Sequence, residues 1–126
     1  MKFKIPKNTD KISWTSHAVG KMMHYQLSEA RVKRVINNPQ RKELGIAPGT
    51  IAVMQANSSK HSYEIWTMYQ IIKSKIKNPS PRLARLGREN SKIRVITAWR
   101  YPGKSPIHGT IPVPVEILEE LGEIIS

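Results

Sequence analysis

Apolar positions along this chain change their spacing twice, and the changes divide it into helical and extended stretches. From Ser16 to Tyr25, Ala18, Met22 and Tyr25 recur at helical spacing, which predicts a helix with Ser16 as its N-cap. Ser28 reads as the N-cap of a second helix, with Val32, Val35 and Ile36 on its buried side and Asn37-Asn38-Pro39 as its stop. Turn formers at Gly45 and Pro48-Gly49 follow, and the period then shortens. Residues 50–56 and 63–72 are rich in β-formers. In 92–101, Ile93, Val95, Thr97, Trp99 and Tyr101 alternate with Arg94, Ile96, Ala98 and Arg100, which predicts a strand with the two sets on opposite faces. No long helix intervenes between these three segments, so an antiparallel meander is their simplest pairing. After Pro112 and Pro114 the period lengthens again, and Val115, Leu118 and Leu121 line one side of a final helix whose first turn suits Pro114.

The expected fold is α+β: two N-terminal helices packed on a three- to four-stranded antiparallel sheet, with an acidic C-terminal helix over 113–125. Residues 1–13 are polar and lysine-rich and read as a basic arm or an edge strand. With 126 residues and 39% apolar content, the chain has the size and composition of a single domain, 1–126. It contains no stretch suited to a signal peptide or a spanning helix, so a cytoplasmic location away from membranes is expected. The absence of cysteine excludes a disulfide framework, a thiolate nucleophile and a cysteine-based zinc site.

Charge changes this picture most. Residues 111–126 hold none of the 21 lysines and arginines and four of the nine acids, Glu116, Glu119, Glu120 and Glu123. The preceding chain is therefore strongly cationic, and a field of that sign attracts polyanions. The basic residues concentrate at Lys73, Lys75, Lys77, Arg82, Arg85, Arg88, Lys92 and Arg94, against the single acid Glu89. Because 73–91 reads as a loop inserted between strands, this set is expected to present a phosphate-binding surface, with RNA as the partner and DNA second to it. The acidic helix has the opposite sign and is expected to be able to fold across that surface.

Metal-free ribonucleolysis needs a base for the ribose 2′-hydroxyl, cations for the pentacoordinate phosphate and an acid for the leaving oxygen. On a helix, His17, Lys21 and His24 fall on one face, and Arg100 and Tyr101 near the end of the last strand, with His108 shortly after it, are placed to complete such a site. The candidate catalytic group is His17 as acid or base, with Lys21 and Arg100 on the phosphate. The bland alternative is a capping or packing histidine at a helix start. His17 and His24 are badly spaced for a shared metal and have no acidic cluster beside them, so neither a metal nor a cofactor is expected. Trp66, Trp99, Tyr63 and Tyr69 are suited to stacking on bases, although in a small sheet such residues are more often core.

The segment 13–39, SWTSHAVGKMMHYQLSEARVKRVINNP, resembles the opening of a small bacterial domain family of unknown function, through His17-Ala18, Met22, Leu27-Ser28 and Val32. The closing RVITAWRYP, 94–102, is similar to that family's terminal strand. Lys21 and Tyr25 stand where such families carry arginines, and Gln26 stands where a glycine is usual. The family resembles the RelE and BrnT toxins of the barnase, EndoU, colicin and RelE-like ribonuclease superfamily. The resemblance implies a RelE-like fold and a toxin-like, metal-independent endoribonuclease. Two other classes stay open: a non-catalytic RNA- or DNA-binding protein on the same scaffold, and a toxin–antitoxin interaction module whose basic face docks an acidic antitoxin-like protein.

Overall fold

The computed structural model describes residues 3–57, 62–74, 90–107 and 109–125, with backbone alone at 74, 90 and 122–125. The chain runs β1 (Ile12–Trp14), α1 (Ser16–Tyr25), α2 (Glu29–Asn37), β2 (Arg41–Leu44), β3 (Thr50–Asn57), β4 (Tyr63–Ser74), β5 (Asn90–Pro102) and α3 (Val115–Ile125). The fold is α+β, with a five-stranded mixed sheet of order β1-β5-β4-β3-β2.

The sheet departs from the expected three or four antiparallel strands at both edges. β2 to β5 do form an antiparallel meander, but β1 lies parallel to β5, with Ile12, Ser13 and Trp14 opposite Ile93, Arg94 and Val95. β1 and β2 are three and four residues long, too short for a periodic pattern to announce them. β4 and β5 are longer than expected, and Lys73 pairs with Ser91 inside the segment read as a loop.

Both N-terminal helices begin where hydroxyls can cap them. α1 is capped by Thr15, one residue earlier than expected, because its Oγ1 accepts from the Ala18 amide at 3.0 Å. Ser28 caps α2 as anticipated, accepting from Arg31 N–H at 3.1 Å. Between the helices, Gln26 takes the left-handed conformation, φ 57°, and its N–H closes α1 onto the Met22 and Met23 carbonyls.

Two cores flank the sheet. Ala18, Met22, Val32 and Val35 pack with Val53, Ile65, Tyr69, Val95 and Ala98 on one face. Ile117 and Leu121 of α3 pack with Ala52, Met54, Trp66, Met68, Ile96 and Trp99 on the other. The indoles of Trp66 and Trp99 stack there, 6.0 Å apart and 5° from parallel, and both are fully buried. They are core rather than base platforms.

A β-bulge decides which face each residue of β5 joins. Met68 lies opposite Thr97 and Tyr69 opposite Val95, so Ile96 is an extra residue in β5. The single alternation expected along 93–101 is broken at that point. Ile93 and Val95 face the α1–α2 core, Ile96 and Trp99 face the α3 core, and Ala98 returns to the first.

The connection from β5 to α3 is clamped by polar contacts. Ser105 donates its N–H and hydroxyl to the buried Glu64 carboxylate at 3.1 and 2.7 Å. Arg41 donates to Ser105 Oγ and to the Pro106 and Gly109 carbonyls, and its guanidinium lies 5.2 Å from the Trp66 ring centroid. No described helix is long and apolar enough to cross a membrane.

Candidate nucleic-acid interface

β1 ends at Trp14, and α1 continues from it beside β5. Thr15 joins the two, donating its hydroxyl to the Ile96 carbonyl at 3.0 Å while capping α1. The first turn of α1 is thereby fixed against the bulge, and an open cleft of about 750 Å³ forms there. It is lined by Ser13, Trp14, Thr15, Ser16, His17, Arg94 and Glu120.

α3 brings its acids to this helix. Glu120 Oε2 lies 2.8 Å from His17 Nδ1, and Glu120 Oε1 lies 3.5 Å from Lys21 Nζ. One helical turn away on each helix, the Tyr25 hydroxyl donates to Glu116 Oε1 at 3.2 Å. His17, Lys21 and Tyr25 are spaced by four, as are Glu116 and Glu120, so two matching stripes meet. The far nitrogen of His17, Nε2, lies 3.1 Å from the hydroxyl of the fully buried Thr97.

Electrostatics fix the state of His17. Burial pushes its pKa below the ordinary value, the Glu120 carboxylate opposes that, and the Lys21 charge adds to the lowering. The neutral ring donates Nδ1–H to Glu120 and accepts the Thr97 hydroxyl proton at Nε2. Tyr25 is pushed up, by burial first and then by Glu116.

The residues singled out for catalysis divide between the two faces. His17 and Lys21 share Glu120. Arg100 lies elsewhere: it is opposite Ile65 of the α1–α2 core, and its guanidinium sits 4.6 Å from the Tyr63 ring centroid. Thr97, which holds His17, is opposite Met68 of the α3 core. His24 makes an edge-on contact with Tyr25 at 4.7 Å. Among the described residues, no group of three or more His, Cys, Asp or Glu side chains is placed to hold a metal ion.

Of the expected phosphate contacts, Lys73, Lys92 and Arg94 are described; Lys75, Lys77, Arg82, Arg85 and Arg88 lie outside the described residues. Lys92 is opposite Ile72, and Arg94 is opposite Gln70 on one side and Ser13 on the other. These pairs extend the α3 side of the sheet past the buried tryptophans, and burial falls away until Ile72 is 41% exposed. Among the described residues no carboxylate pairs with Lys73, Lys92 or Arg94.

Sequence reasoning missed Glu120 and Ser13 as parts of this cleft. Glu120 had a readable signal, since an acidic pair at i, i+4 matches a His–Lys–Tyr series at the same spacing. Ser13 had none, because its place depends on the parallel pairing of β1 with β5. Comparison with family models, curated proteins and solved structures finds no match for the chain.

Proposed function

We propose that this protein binds RNA, along the basic end of β4 and β5 and into the cleft at the start of α1. The observation that carries this is Arg94. It lines a cleft with three hydroxyl-bearing residues, it stands on the same strand as Lys92, and no described carboxylate neutralises either. Unpaired cations beside hydroxyl donors suit a phosphodiester backbone, which is contacted without regard to sequence. The chain between β4 and β5 adds five further cations in sequence to the same hairpin. The binding function is preferred to catalysis because both ring nitrogens of His17 already have partners and Arg100 faces away.

The test is binding of a fluorescent single-stranded RNA at several salt concentrations. Changing Lys92 and Arg94 to Gln is expected to weaken binding and to reduce the steepness of its salt dependence by roughly one to two. An unchanged slope would reject this surface. Glu120→Gln is expected to tighten binding by a few-fold, since it removes a negative charge from the cleft.

One contact favours a second function, metal-independent endoribonuclease. Glu120 orients the His17 imidazole as a carboxylate orients a catalytic histidine, within the same cleft as Arg94. Chemistry there requires Thr97 to release Nε2. RNA cleavage lost in His17→Ala with affinity retained would establish it, and the absence of cleavage by the parent protein in chelator would remove it.

A further inference from the structure

The opposite face of the sheet carries a second group of cations that the surface above does not use. Gln55, Ile65 and Arg100 lie side by side across β3, β4 and β5, and the next row contains Asn57, Tyr63 and Pro102. The C-terminal half of α2 rests on these rows. Gln55 fixes it there, donating from Nε2 to the Arg34 and Asn38 carbonyls at 3.2 and 2.7 Å and accepting from Arg31 Nη1. Tyr63 is held in turn, its hydroxyl bonded to Asn57 Nδ2 at 2.6 Å, and its ring carries the Arg100 guanidinium at 4.6 Å.

Arg31 and Arg34 stand three residues apart on α2, and Arg31 is bonded to Gln55 in the same row as Arg100, so the charges of Arg34 and Arg100 both act on Arg31. Like charges brought together and partly desolvated are unfavourable unless an anion joins them. Among the described residues none supplies such an anion. Burial, then the Arg34 charge, lowers the Arg31 pKa, with Arg100 adding to this, and among the described residues it is Tyr63 rather than a carboxylate that opposes them. Among the described residues none of the three arginines forms an ion pair; neighbouring Lys33 takes Glu29 instead. Arg100 Nε is buried and has no hydrogen-bond partner. Tyr63 and Gln55 orient two of the guanidiniums, which is how a fixed recognition site differs from a solvated basic face.

We propose that Arg31, Arg34 and Arg100, positioned by Gln55 and Tyr63, form a binding site for a phosphate group. Guanidinium forks match the paired oxygens of phosphate, and the unpartnered Arg100 Nε supplies a donor already stripped of water. The site lies on the other side of the sheet from Lys92 and Arg94, so it stands or falls independently of the RNA surface proposed above.

The test uses the full chain and inorganic phosphate, followed by calorimetry and by thermal stabilisation against sodium chloride at matched ionic strength. Saturable, phosphate-specific binding is expected. Arg34→Gln, at an exposed position that leaves the core intact, is expected to weaken it roughly tenfold. Arg100→Lys keeps the charge but loses the fork and is expected to weaken it similarly, while Lys92→Gln leaves it unchanged. No difference between phosphate and chloride, or equal binding by the parent and Arg34→Gln, would overturn the proposal. A loss confined to Lys92→Gln would also overturn it, because the bound phosphate would then sit on the RNA surface. Competition identifies the source of the group: displacement by a 5′-phosphorylated dinucleotide alone assigns a terminal phosphate, and displacement by the unphosphorylated dinucleotide as well assigns a backbone diester.

Discussion

Replacing Ile117 by alanine tests whether α3 is part of the folded core or a removable acidic lid. Ile117 is fully buried and packs in the cluster containing Trp66, Met68, Ile96 and Trp99. The substitution removes three buried carbons, worth about 0.8 kcal/mol each, and the cavity left in that cluster adds to the loss. The expected destabilisation is about 3–4 kcal/mol. Native domains have about 5–15 kcal/mol in total, so this one change consumes a large part of it. With a urea slope of roughly 1–3 kcal/mol per molar, the unfolding midpoint should fall by about 1–4 M at constant slope. Leu118→Ala on the exposed side of the same helix should shift it by far less, since Leu118 is 43% exposed. A shift for Ile117→Ala no larger than that of Leu118→Ala would show that α3 is peripheral. The same reasoning predicts that truncation after Gly109, which strips Ile117 and Leu121 together and bares the tryptophan pair, leaves no cooperative unfolding transition. The electrostatic influence of α3 on the basic surface is therefore to be measured with Glu→Gln substitutions, which leave its apolar side in place.

Three further outcomes are expected. Gln26→Gly should stabilise the fold by about 0.5–1 kcal/mol in urea denaturation, because a side chain at φ 57° is strained where glycine is not; a loss of stability would show that the glutamine side chain is used. Ser28→Ala should cost about 1 kcal/mol through the lost cap on the Arg31 amide, with Ser28→Asp largely restoring it. His17 favours its neutral form in the folded state, so its contribution is complete above the ordinary histidine value of 6.5 and is lost as pH falls through the lower folded value. Urea midpoints of the parent protein should therefore fall more steeply below pH 6.5 than those of His17→Gln. In NMR titration, Glu120→Gln should lower the His17 pKa further and Lys21→Met should raise it.

What the sequence disclosed follows from the range of the interactions involved. The helices over 16–25 and 29–37 were legible because their buried positions repeat over several turns and a hydroxyl precedes each. The meander was legible because its strands are eight residues or longer. β1 and β2 were not, since a three- or four-residue strand owes its conformation to a neighbour distant in sequence. Gln26 takes a left-handed backbone conformation that ordinarily favours glycine, which helical spacing does not announce. Arg100 is a different case. Helical spacing correctly placed His17 beside Lys21, but the position of Arg100 relative to them depends on strand parity, which one inserted residue reverses.

That inserted residue, Ile96, separates the two electrostatic surfaces of this molecule. With unbroken alternation from Val95, Thr97 would join the α1–α2 side and Arg100 the α3 side, so His17 would lose its hydroxyl partner and Arg100 would leave Tyr63 and Arg31. Instead the bulge leaves both Ile96 and Thr97 on the α3 side, offers the Ile96 carbonyl to the Thr15 cap, and places Thr97 beneath His17. It also returns Ala98 and Arg100 to the helix pair. Deleting Ile96 removes the bulge but leaves Val95 opposite Tyr69 and Thr97 opposite Met68 on their present faces, so its cost should be that of one buried side chain, about 2–5 kcal/mol, together with the Thr15 hydrogen bond to the Ile96 carbonyl. A deletion variant that loses its cooperative transition would mean that the faces of Thr97 to Arg100 depend on the bulge itself and not on the pairing of Met68 with Thr97.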